Sequence, residues 1–186
     1  MEDPLKLIIF GRQGSGKGTQ CALLTEKFGL KHLSTGDILR DNIEQGTQLG
    51  KIVEPILASG QLVDDETILK LVNAKLSEPD VLASGFILDG FPRTLAQAQG
   101  LLEFVGPDGI DSAINLEVSV EECMERMMSR GRADDEIEAA KQRLELYESE
   151  TVPAIEFYKS LDMTVDVDGL GTEAEVSERV LAAISS

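Results

Sequence analysis

Between Phe10 and Gln20 the chain reads Gly11-Arg12-Gln13-Gly14-Ser15-Gly16-Lys17-Gly18-Thr19, and this run leaves little choice about what surrounds it. The apolar run Leu5-Lys6-Leu7-Ile8-Ile9-Phe10 comes before it and a helix-like stretch, Gln20 to Phe28, comes after, so the order is strand, glycine loop, helix. Glycines at 11, 14 and 16 let successive backbone N–H groups turn inward with no Cβ in the way. The N-terminus of the following helix adds its dipole, and the result is a nest suited to phosphate. Lys17 supplies a mobile cation where the terminal phosphates of a nucleotide would lie. The spacing is GxxxxGK, the P-loop pattern, in the strand-before, helix-after context that it requires. One position departs from it: Gly18 follows Lys17, and the hydroxyl arrives one step later at Thr19. No direct hydroxyl contact to magnesium is expected, and the ion is expected to be held mainly through water and the nucleotide.

Such a site has to be assembled against the chain's own field. The net charge of −17 repels nucleic acid and anionic membrane surfaces, and it repels nucleotides as well. Phosphate must be held by local cations, so the arginines are informative. A chain of 186 residues, 42% of them apolar, can bury one sizeable core, and a single domain is expected. Cys21 and Cys123 fall in separate predicted helices with no ligand-like neighbour and no CxxC spacing, and are read as buried thiols. The start, Met1-Glu2-Asp3-Pro4, has no basic leader, and the first apolar run is too short for a signal or a span. A cytoplasmic protein is expected.

Apolar runs at 5–10, 85–89, 113–118 and 163–167, with a short strand end at 31–34, alternate with helical patterns. The helices are expected at 20–28, 94–104, 120–130, 135–161 and 173–184, and Pro153 should kink or divide the fourth. Between the strands at 31–34 and 85–89 lie three consecutive helical patterns, near 35–43, 49–58 and 65–76, which read as an inserted subdomain at one edge of the site. Alternation of this kind implies an α/β fold with a doubly wound parallel sheet and ligands beyond the strands' C-terminal ends.

Asp89 closes the run Gly85-Phe86-Ile87-Leu88, where P-loop enzymes place an acid to orient magnesium directly or through water. Gly90-Phe91-Pro92-Arg93-Thr94 follows. The Phe91–Pro92 bond is a candidate for the cis form, which costs an X–Pro bond only about 0.5–1 kcal/mol, in a turn that aims Arg93 back at the site. A hydroxyl acceptor would need a base to take its proton, whereas a phosphate acceptor is already an anion and needs only cations and exclusion of water. The single histidine, His32, is read as a packed residue rather than a general base.

The runs GRQGSGKGTQ at 11–20, LSTGDILR at 33–40, DGFPRTLAQA at 89–98 and GRADDEIEAAKQRL at 131–144 resemble the adenylate kinase family, in its order and over essentially the whole chain. The resemblance implies a P-loop NTPase fold: a five-stranded parallel sheet flanked by helices, with a helical AMP-binding insertion and a very short lid. The core would comprise 1–34, 78–128 and 135–186, the insertion 35–77 and the lid about 129–134. The family transfers the γ-phosphate of Mg-ATP to AMP, giving two ADP. By resemblance the ATP site comprises Gly14, Ser15, Gly16, Lys17, Gly18, Thr19, Arg126, Arg130 and Gly171, with Arg126 stacking on adenine and Arg130 meeting the phosphates. The AMP site comprises Thr35, Arg40, Leu57, Gln61, Val63, Gly90, Arg93, Gln97, Arg132 and Arg143, with Gln97 reading the adenine edge. Lys17, Asp89, Arg93, Arg132 and Arg143 carry the catalytic roles, Arg132 and Arg143 closing on the transferring group. Asp134 and Asp135 anchor the lid. Six of the eight arginines fall on these motif positions.

Magnesium is expected as cofactor, with Asp89 and Thr19 nearby and no direct protein ligand. The partners expected are ATP and AMP or ADP, with no nucleic acid, no membrane and a monomeric state. The short lid segment Ser129-Arg130-Gly131-Arg132 lacks the cysteines of the zinc-bearing long-lid form, so no structural zinc is expected. Gln13 stands where the family commonly has proline, which loosens the loop, and Arg12 is expected to add a cation at its rim. Two other readings stay open. A UMP/CMP kinase usually has alanine in place of Thr35 and lacks the Thr94–Gln97 pairing, and a nucleotide sensor would keep the fold without transfer.

Overall fold

The computed structural model describes residues 4–130 and 137–185, with the side chain of Arg130 left aside. Five strands form one parallel sheet: β1 (Lys6–Phe10), β2 (Lys31–Ser34), β3 (Phe86–Asp89), β4 (Ser112–Glu117) and β5 (Thr164–Asp168), in the order β2-β3-β1-β4-β5. Alternate residues of β1 face opposite layers, as the period of two demands. Ile8 and Phe10 pack with Leu33, Leu88, Phe91 and Tyr158, while Leu7 and Ile9 pack with Leu24, Ile87, Ile114 and Val180. The glycine loop therefore springs from the middle strand of the sheet, which is covered on both faces. Ile9 is paired in register with Asp89, so the loop and the acid start side by side.

The helices are α1 (Lys17–Phe28), α2 (Thr35–Glu44), α3 (Gln48–Ala58), α4 (Asp65–Leu76), α5 (Pro79–Ser84), α6 (Leu95–Val105), α7 (Val120–Arg130), α8 (Ile137–Leu146), α9 (Val152–Ser160) and α10 (Glu173–Ile184). Ser34, Thr47, Asp64, Thr94 and Thr172 cap α2, α3, α4, α6 and α10 by accepting a backbone N–H, and Thr172 with Glu175 completes a reciprocal box. Helix α1 differs. Its N-cap is Gly16 at φ 100°, and no side chain among the described residues caps it, which suits a helix start that meets a phosphate.

Two details differ from the sequence expectation, and a third gives an expected break its form. Helix α1 begins at Lys17 rather than Gln20, because the loop passes into the helix without a break. A fourth helix, α5, stands before β3; six residues opened by Pro79 are too few to show a periodicity. Pro153 does divide the long helical pattern, through a π-helical turn at Tyr147–Thr151 that joins α8 to α9. Proline has no N–H to give the preceding turn and its ring crowds that turn's carbonyl, and the wider turn absorbs both. The expected start of this pattern at Asp135 lies outside the described residues.

Candidate active site

The loop closes on itself by the bond from Ser15 N to Arg12 O, 3.0 Å, and Gly14 lies at φ 86° against α7. A Cβ on Gly14 would sit 2.4 Å from the Cys123 carbonyl oxygen, so nothing larger than glycine fits. Lys17 folds back over the nest, its Nζ donating to the Gly11 and Arg12 carbonyls at 2.9 and 3.1 Å. Burial lowers its pKa below that of an ordinary lysine; Asp89 pulls the other way and Arg93 adds to the lowering.

Asp89 accepts from His32 Nε2 at 3.2 Å. Burial alone would raise its carboxyl. The His32 hydrogen bond and the Lys17 and Arg93 cations outweigh that, so Asp89 stays below the usual carboxylate range. His32 is thus a partner of the site's acid rather than a packed bystander. Cys21 and Cys123 are buried thiols as expected, and burial raises the pKa of each. Cys21 does, however, have ligand-like neighbours: donor atoms of Cys21, His32 and Asp89 lie within 4.8 Å of one another, brought together by three separate elements.

On the other side of Asp89, the Gly90 carbonyl accepts from Thr35 Oγ1 at 2.8 Å and from Arg93 Nε at 2.7 Å. The Phe91–Pro92 bond is cis, and Gly90 lies at φ 75° with no room for a Cβ between Arg93 and Thr35. Gln97 is buried, and its Oε1 accepts the Arg93 N–H at 2.7 Å. Arg40 pairs with Asp37 at 2.5 Å, and Arg143 donates to the Leu57 carbonyl at 2.9 Å. Thr35, Arg40, Leu57, Gln61, Val63, Gly90, Arg93, Gln97 and Arg143 all border one cavity of about 650 Å³, together with Lys17, Asp89 and the glycine loop.

A second cavity, about 290 Å³, opens behind the loop between Ser15, Gln20, Gly171 and Val176. Gly16, Thr19 and Arg126 border both cavities. Arg126 lies across the loop with its NH1 donating to the Ser15 carbonyl at 3.2 Å and its Nε held by Glu122 at 2.7 Å. Ser15 Oγ is buried without a hydrogen-bond partner among the described residues. The Arg130 side chain, Arg132, Asp134 and Asp135 lie outside the described residues, as does most of the expected lid.

A glycine nest, a lysine and an acid at the ends of adjacent strands, with arginines gathered on two sides, can hold two phosphorylated ligands against each other. The family model described as Adenylate kinase matches residues 9–163. A protein of that name from Stenotrophomonas maltophilia (strain K279a) is 43% identical over 189 residues, covering 98% of this chain and 100% of its own length. Another, from Mycobacteroides abscessus, is 43% identical over 182 residues, covering 97% and 99%. The chain belongs to the adenylate kinase family. It is accordingly a phosphotransferase, a nucleoside monophosphate kinase on the P-loop NTPase fold. Among the described residues no helix is long and apolar enough to cross a membrane.

Against the adenylate kinase framework, Arg12 corrects one expectation. It does not border the cavity as a cation at the loop's rim but turns outward to Glu148, the Val118 carbonyl and the face of Tyr147. A guanidinium beside a carboxylate and an aromatic face is better placed there than in open water. Residue reading also missed Asp65, which holds Gln97, and Thr151, whose hydroxyl donates to the Arg93 carbonyl at 3.0 Å. An acid at the first position of α4 reads as a helix-end charge and a threonine before Val152-Pro153 as a turn residue, so neither carried a signal in sequence.

Proposed function

We propose that this chain catalyses reversible, magnesium-dependent transfer of the γ-phosphoryl group of ATP to AMP, giving two ADP by in-line displacement, as a cytoplasmic monomer. One observation carries the reading: two cavities meet across the glycine loop at Gly16, Thr19 and Arg126, and the larger is walled by Lys17, Arg93 and Arg143. ATP would lie with its base in the smaller cavity beside Arg126 and Gly171 and its phosphates along Gly14 to Thr19, with Arg130 assigned to them by the family resemblance. AMP would lie in the larger one, its phosphate between Arg40, Arg93 and Arg143, with Arg132 assigned to it by the family resemblance, and its base near Leu57, Gln61, Val63 and Gln97.

In this arrangement an oxygen of the AMP phosphate forms the new bond to the γ-phosphorus as the bond to the β-bridging oxygen breaks, and both products leave as anions. No proton has to be moved, which fits a site whose one histidine is engaged by Asp89. The work left is electrostatic. Lys17 and the arginines offset charge that builds up on the oxygens around the transferring group. Thr19 and the depressed carboxyl of Asp89 suit magnesium held through water, and the ion would share the neutralisation of the β- and γ-phosphates. A site that gathers this much charge away from water must open to release product. The insertion at 35–77 is the part we assign to that motion.

The test is a side-by-side assay of transfer to AMP, CMP, UMP and GMP, with and without magnesium. AMP should be the preferred acceptor, and magnesium should be required. Preference for CMP or UMP, or tight ATP binding with no transfer to any acceptor, would overturn the proposal.

A further inference from the structure

We propose that Asp65 is a positioning residue that sets the base selectivity of the acceptor site by fixing which way the Gln97 amide faces. The inference rests on the reading of Gln97 as the group that meets the acceptor's base. Gln97 is buried at the border of the larger cavity, and its amide is held at both ends. Oε1 accepts from Arg93 N at 2.7 Å, and Nε2 donates to Asp65 Oδ1 at 2.8 Å. The first partner is a backbone N–H, which can only donate. The second is a carboxylate, which can only accept. A half-turn of the amide would set donor against donor at one end and acceptor against acceptor at the other.

Asp65 is itself fixed. Its Oδ1 also accepts from Thr94 Oγ1 at 2.9 Å, and that hydroxyl oxygen accepts the Gln97 backbone N–H at 3.1 Å. The acid stands at the start of α4 in the helical insertion, and the amide on α6 beside the sheet, so the lock spans two elements. Among the described residues these bonds leave Gln97 one Nε2 hydrogen and one Oε1 lone pair. Adenine presents the complement at its Watson–Crick edge, an acceptor at N1 and a donor at its amino group. Guanine presents the reverse, a donor at N1 and an acceptor at O6. To meet guanine the amide would have to flip, and both anchors oppose the flip. A site that pairs with one edge leaves its own buried polar groups unmatched by the other, which is the strongest form of discrimination such a pocket has.

The experiment compares kcat and KM for AMP, GMP and ATP in the full chain, its Asp65→Ala variant and its Asp65→Asn variant. The asparagine carbonyl can replace Oδ1 as acceptor, so Asp65→Asn should stay close to the parent. Asp65→Ala removes the anchor. KM for AMP should rise about tenfold, the AMP-over-GMP ratio of kcat/KM should fall at least about fivefold, and KM for ATP should stay within about twofold. A merely structural acid would instead lower stability and affect all substrates alike. Should Asp65→Ala fail to fold, Asp65→Ser keeps a residue suited to a helix start and is too short to reach Nε2, and the same ratios apply. An unchanged AMP-over-GMP ratio, or equal rises in KM for AMP and ATP, overturns the inference while the functional reading stands. A parent chain that transfers to no monophosphate, or prefers GMP, defeats the functional reading and this one together.

Discussion

Arg12 of the glycine loop grips Glu148 of the π-helical turn. Its Nε donates to Glu148 Oε1 at 3.0 Å, its NH2 donates to the same oxygen, its NH1 reaches the Val118 carbonyl at 3.1 Å, and the guanidinium lies 5.1 Å from the centre of the Tyr147 ring. The same turn ends at Thr151, which holds the Arg93 carbonyl. One short segment thus touches both the loop assigned to ATP and the arginine assigned to AMP.

Arg12→Ala should free the loop at its outer end. KM for ATP is expected to rise roughly threefold to tenfold with kcat less affected, since the contact positions the loop and does not meet the reacting atoms. Glu148 is about half exposed, so the loss in stability should be under about 1 kcal/mol. Steady-state kinetics and a thermal melt check both; a fall in kcat with unchanged KM would assign the contact a different role.

Lys17→Met should leave the fold intact and lower kcat by roughly 10²-fold or more, because the lost charge matters most where charge accumulates during transfer. Burial makes Lys17 give up its proton more easily than an ordinary lysine. The alkaline fall of kcat/KM should therefore set in below the ordinary lysine range, and a pH–rate profile reads it directly.

Asp89 ties stability to pH on the acid side. Its folded pKa is depressed, so between that value and the unfolded value near ~3.9 the unfolded chain binds more protons, and stability rises with pH. The contribution is complete above the unfolded value and disappears as pH falls through the folded one, where Asp89 loses its pairing with His32, Lys17 and Arg93. Urea melts carried from neutral pH down through the unfolded carboxylate value to about pH 3 should show a shallower acid dependence in Asp89→Asn than in the parent. Identical slopes would mean that other carboxylates carry the effect.

Two glycines four positions apart should respond in opposite senses. Gly14→Ala demands a left-handed φ of an L residue and drives a methyl against the Cys123 carbonyl, so a loss of roughly 2–4 kcal/mol with loss of ATP binding is expected. Gly18 sits inside α1 with nothing within 4 Å of the Cβ it would gain, and Gly18→Ala should be neutral or raise stability by up to about 1 kcal/mol. Denaturant melts of the two variants test the pair.

The parts of the site that could be read from residues are those the chain builds locally. The glycine loop, Lys17, Asp89 at a strand end and the turn that returns Arg93 are each specified within a few positions, and the unbroken apolar run Phe86-Ile87-Leu88 marks a central strand covered on both faces. What stayed out of reach joins distant positions. Asp65 meets Thr94 and Gln97, Cys21 meets His32 and Asp89, and Arg12 meets Glu148 only once the sheet order has set their elements side by side. An arginine inside a phosphate loop was read by its charge alone, as a rim cation, when its partner lay far along the chain. The π-helical turn was half legible: Pro153 announced a break, but nothing local says that the break takes the form of a widened turn rather than a kink.

That turn also decides which changes of length the protein can bear. A helix advances by about 100° per residue, so the surplus residue between Leu146 and Val152 sets the angular phase of everything after it. Removing one residue there would re-index α9 relative to α8, carrying Glu148 and Thr151 off their neighbours at once, although neither would have been replaced. Insertions and deletions that a surface loop absorbs without consequence would here uncouple both nucleotide sites in a single event.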